Sequence, residues 1–136
     1  MKSRESLIRL KRFQVDEKRR QVTSIESMIA EMVRMAKDLD DQIVSEQNRV
    51  GIHDVTHYAY PTFAKAAMTR RDNLKVSIQG LEAQLAAARD GLSEAVEDLK
   101  KVELLDERDQ GRERDVRDAR EQEAMDEMAS RRHAWR

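Results

Sequence analysis

From Leu74 to Val102 the apolar residues fall at Leu74, Ile78, Leu81, Leu85, Ala88, Leu92, Ala95, Leu99 and Val102, in alternating steps of four and three. A stripe that recurs every 3.5 residues is the seam of a helix lying along another helix, because slight under-winding keeps that seam facing its mate. A second stripe lies earlier in the chain: Ile8, Val15, Val22, Ile29, Ala36, Ile43 and Val50 repeat every seven residues, with Ile25, Met32 and Leu39 as the second row over the middle. Two long seams separated by one short break predict an all-α fold, two long helices paired as an antiparallel coiled-coil hairpin.

The breaks give the boundaries. Ser3 can cap a first helix that runs to Val50, with Glu5 in its first turn, and Gly51 suits the position just past its end. The segment Gly51 to Pro61 has no heptad and forms the hairpin tip, and Pro61 suits the first turn of a second helix beginning near Thr62. A turn centred near Thr56 sets Ile8 opposite Leu104. The expectation is one hairpin domain over 1–136: helix 3–50, tip 51–61, and a second helix 62–130 that overhangs the first and is marginal from 112 onward. The overhang is marginal because the seam positions after Val102 become Asp106, Asp109, Glu113, Val116, Arg120 and Glu123, so the apolar stripe is lost. Gly111 weakens the helix there by about 1 kcal/mol relative to alanine. At the other end the second row of the first seam is Arg4, Lys11 and Lys18, so pairing is weak near the amino end and strong in the middle.

Composition agrees with the pattern. Charged residues are 39 % of the 136, aromatic residues 4 %, and there is one proline. That is the composition of a helix pair held by a narrow seam, with no interior large enough to enclose a substrate. The net charge of -1 excludes a general polyanion binder, although Met1 to Arg20 carries eight basic residues against three acidic ones. The absence of cysteine removes disulfides, thiolate metal sites and cysteine nucleophiles. No apolar run reaches the roughly 20 residues that span a bilayer, and an apolar signal core is lacking, so a cytoplasmic protein is expected.

Candidate chemistry is sparse. His53, Asp54 and His57 form H-D-x-x-H, but the motif lies in the turn, lacks a third ligand and has no glutamate between its histidines, so no metal is expected. No carboxylate sits in an apolar surround that would suit it to acid or base work, and no glycine-rich phosphate loop exists, so neither catalysis nor a cofactor is expected. The basic amino end could touch nucleic acid or an anionic membrane surface, which gives an alternative reading from another class, but acidic residues interrupt the run. A homo-oligomeric coiled coil with seams pairing between chains is a further alternative. The tip is the better functional candidate, since Ile52, Val55, Tyr58, Tyr60 and Phe63 offer more apolar surface than a short turn needs, the alternative being that the tip packs on itself or onto the helix ends. Trp135 in the tail is either an ordinary exposed aromatic or an anchor for a partner pocket.

Three runs then matter together: L-x-R-L-K-R-F-Q-V-D-E-K-R-R at Leu7 to Arg20, M-I-A-E-M at Met28 to Met32, and H-Y-A-Y-P-T-F-A-K-A-A-x-x-R-R-D-N-L at His57 to Leu74. On these the chain resembles the FliJ family of flagellar export proteins, counterparts of the YscO-type proteins of virulence secretion, in the form found in alphaproteobacteria. The resemblance implies a two-helix coiled coil similar to the central stalk of rotary ATP synthases, acting without catalysis of its own. It implies contact with a hexameric export ATPase and with the cytoplasmic domain of the export gate membrane protein, peripheral association with the export apparatus at the inner membrane, and, for some members, handling of export chaperones. No nucleic acid is expected. On this resemblance Arg9, Arg12, Arg19 and Arg20, with the tail, are assigned to the ATPase, and Tyr58, Tyr60 and Phe63 to the gate.

Overall fold

A computed structural model describes residues 2–135. It contains two helices, α1 (Lys2–Val50) and α2 (Thr62–Ala134), joined by a turn. The two helices pair as an antiparallel hairpin, and the chain divides into two compact units, Val15–Glu94 and Met1–Gln14 with Ala95–Arg136.

In the Val15–Glu94 unit the buried residues of α1 are Val15, Val22, Ala36 and Ile43, all members of the seven-residue row. Ile25, Ile29, Met32 and Leu39 are half-buried between them. On α2 the residues Leu74, Ile78, Leu81, Leu85, Ala88 and Leu92 are half-buried in the same alternating steps. A fully buried valine or isoleucine contributes on the order of 2 kcal/mol and the half-buried and alanine positions less, so stability is spread along the seam instead of being concentrated in a core. The lowest exposures on α2 are at the tip end, where Ala64 is 0 % and Ala67 3 % exposed. Val50 departs from the expected row: it is exposed at the last position of α1, where the chain turns away.

Ion pairs cross one flank of this unit. Arg71 lies 3.0 Å from Asp40 and 3.1 Å from Asp72, and Arg89 lies 4.0 Å from Glu26. The hydrogen bond from Arg71 to Asp40 is the main reason its guanidinium pKa is raised above the ordinary value.

In the other unit the seam passes from apolar, with Ile8, Ala95, Leu99 and Val102 half-buried, to polar. Arg4 Nη2 donates to Glu113 Oε1 at 2.8 Å, and its Nη1 lies 3.1 Å from Asp109 and 3.5 Å from Asp106 without the alignment of a hydrogen bond. Arg12 faces Glu103 at 3.9 Å. The acidic residues that end the apolar stripe on α2 therefore pair with a basic residue that ends it on α1. Leu104, expected opposite Ile8, points outward at 51 % exposure, while Val102 and Asp106 occupy the seam. Ser3 lies inside the first turn of α1, because the helix begins one residue earlier. Every residue from 112 to 135 is exposed, on a helix that continues to Ala134. No helix among the described residues is long and apolar enough to cross a membrane.

Candidate partner-binding surfaces

The turn between the helices is built by local hydrogen bonds. Gly51 has φ +78°, the left-handed conformation that glycine adopts without strain, and its N–H donates to the Gln47 carbonyl at 2.8 Å to close α1. The Asp54 carboxylate accepts from the Thr56 hydroxyl at 2.7 Å and the Thr56 amide at 3.0 Å. These two bonds, the hydroxyl first, hold the Asp54 pKa below the usual carboxylate range. His57 Nδ1 accepts the Ala59 amide at 3.0 Å, and the Tyr60 amide donates to the His57 carbonyl at 3.0 Å. Pro61 stands immediately ahead of α2, and its carbonyl accepts the Lys65 amide.

The tip aromatics divide into two kinds. Tyr60 is 5 % exposed; its hydroxyl accepts a hydrogen bond from Gln47 Nε2 at 2.8 Å and donates to Met68 Sδ at 3.6 Å. It ties the turn to both helices, so its ring offers no surface to a partner. Tyr58 is 97 % exposed, stacked on His57 with ring centroids 4.7 Å apart, and Phe63 is 56 % exposed on the first turn of α2. Of the three aromatics assigned to one surface, two face solvent. The two histidines of the H-D-x-x-H motif have separate roles: His53 Nε2 lies 3.1 Å from Asn48 Oδ1, while His57 accepts within the turn. Among the described residues no group of three or more histidine, aspartate or glutamate side chains could hold a metal ion.

The assigned arginines all lie on α1 and are exposed. In the Val15–Glu94 unit, Arg19 and Arg20 are 65 % and 63 % exposed, each beside an acidic residue three positions back, Asp16 and Glu17. In the other unit Arg9 is exposed, and Arg12 is 65 % exposed. Exposed ion pairs of this kind are worth about 0–1 kcal/mol, so a partner can displace them at little cost. Arg4, absent from that set, is only 17 % exposed and serves the seam.

These surfaces contain exposed charge and exposed aromatic rings. No curated protein and no solved structure matches the chain at a significant level. The sequence profile described as flagellar FliJ protein matches residues 5–136. That match takes in α1 from Glu5 onward, the turn and α2, and the chain belongs to the FliJ family.

Proposed function

We propose that this component of the flagellar export apparatus works as a stalk and adaptor without catalysis of its own. It binds the hexameric export ATPase through the basic residues of α1 and the tail of α2, and the cytoplasmic domain of the export gate through the tip. In this role it couples ATP hydrolysis to export, assists in handling chaperones and their cargo, and associates peripherally with the apparatus on the cytoplasmic side of the inner membrane. The observation that carries the reading is the family match over residues 5–136. The exposed residues give it contacts: Arg9, Arg12, Arg19 and Arg20 for the ATPase, Tyr58 and Phe63 for the gate.

The test measures ATP hydrolysis by the cognate ATPase with and without the protein, alongside binding to the isolated gate domain. Stimulated hydrolysis is expected, and Tyr58→Ala with Phe63→Ala should weaken gate binding by at least about tenfold while leaving the stimulation intact, as expected for exposed aromatic anchors. No stimulation together with no complex by sedimentation would remove the stalk reading. Unchanged gate binding in the double variant would remove the tip from it.

A further inference from the structure

The exposed end of α2 carries a second heptad frame, distinct from the seam that faces α1. Asp118, Glu121, Met125, Met128, Arg132 and Trp135 follow one another in alternating steps of three and four, so they share one face of the helix. The first frame, continued past Glu113, would pass through Val116 and Arg120 instead. Met125, Met128 and Trp135 are 64 %, 58 % and 90 % exposed. Beside the two methionines, Ala129 leaves a shallow depression of about 390 Å³ lined also by Arg132 and His133.

This stripe is charged in opposite senses at its two ends. Asp118 and Glu121 lead it, and Arg132 closes it. In an antiparallel helix pair each residue of one heptad row faces the other row of its mate. Laid against itself in that way, the stripe puts Met125 against Met128 of a second copy, Glu121 against Arg132 of that copy, and Trp135 over the copy's Asp118. A parallel pairing would stack Arg132 on Arg132 and Glu121 on Glu121, which is repulsive. The stripe is therefore complementary to its own reverse, the property required of a two-fold interface.

We propose that this face of the α2 tail, when the tail is not engaged by the ATPase, binds a second copy of the chain, antiparallel and two-fold symmetric about the Met125–Met128 layers. The contact spans four or five turns of helix with two apolar layers, well below the roughly 800 Å² per partner of a standard interface. The dimer is therefore weak, forming as the chain becomes locally concentrated, with a Kd on the order of 10⁻⁴ M.

Sedimentation equilibrium of the full chain tests this. The mass should rise from 15.8 kDa toward twice that value as concentration passes through the dissociation constant. Arg132→Glu should weaken association by about tenfold or more, since it makes two ion pairs repulsive at once, and adding Glu121→Arg should restore it. Because the chain has no cysteine, single-cysteine variants report register cleanly. A mixture of Met125→Cys and Met128→Cys chains should cross-link 125 to 128 faster than 125 to 125. A mass that stays at one chain up to about ten times that Kd overturns the proposal. So does preferential 125-to-125 linkage, failure of the charge swap to restore association, or an Arg132→Glu variant that keeps its self-association but loses the ATPase. All four substitutions lie at exposed tail positions, and far-ultraviolet circular dichroism should show that each variant retains its helix.

Discussion

Replacing Ile43 with aspartate should lower the unfolding free energy by about 3–5 kcal/mol, the sum of a lost apolar side chain and a carboxylate placed in the seam. Ile43 is 4 % exposed in the seam of the Val15–Glu94 unit. For a chain of this length the melting temperature should fall by about 10–20 °C. The neighbouring Val44 is 53 % exposed, so Val44→Asp should change stability by no more than about 0.5 kcal/mol. The pair is decisive because the two substitutions are chemically alike and differ only in the face they occupy. Equal losses at the two positions would mean that the seam does not have the register described.

The second large effect concerns charge. Reversing Arg12, Arg19 and Arg20 to glutamate should weaken binding to the export ATPase by at least about tenfold, with the loss growing as ionic strength falls. Helicity should persist, because all three side chains are at least 63 % exposed and make only exposed ion pairs. Arg12→Glu does place like charge near Glu103, a cost of a few tenths of a kcal/mol at an exposed site. Unchanged affinity by titration calorimetry, with unchanged circular dichroism, would show that these arginines serve solubility and not recognition.

Much of the fold is legible in the heptads alone. The residues buried on α1 are Val15, Val22, Ala36 and Ile43, every one of them on the seven-residue row, and the two helices end where Gly51 and Pro61 place the turn. A periodic stripe is informative because one face of a helix has to leave water along its whole length.

The turn is less legible. Nothing in the order Tyr58, Ala59, Tyr60 says which ring goes inward. That choice is made by the Asp54–Thr56 and His57–Ala59 hydrogen bonds, which bend the chain so that Tyr60 reaches Gln47 and Met68. Ala64 and Ala67 escape a reading that weights large side chains, yet they are the most buried residues of α2. The pairing of Arg4 with Asp106, Asp109 and Glu113 also escapes it. A loss of apolar residues on each strand of the seam reads as weakness until the two losses are seen to carry opposite charge.

The stalk reading and the placement of every surface depend on the two helices folding back on one another within a single chain. The most direct measurement is a distance between spin labels at Ile29 and Leu81, both half-buried in the Val15–Glu94 unit, in labelled chain diluted with an excess of unlabelled chain. Helices packed 8–10 Å apart, allowing for the label arms, predict a separation under about 20 Å that dilution leaves unchanged. A separation approaching the roughly 80 Å that an unbroken helix of that span would give, or a short distance that vanishes on dilution, would contradict the account.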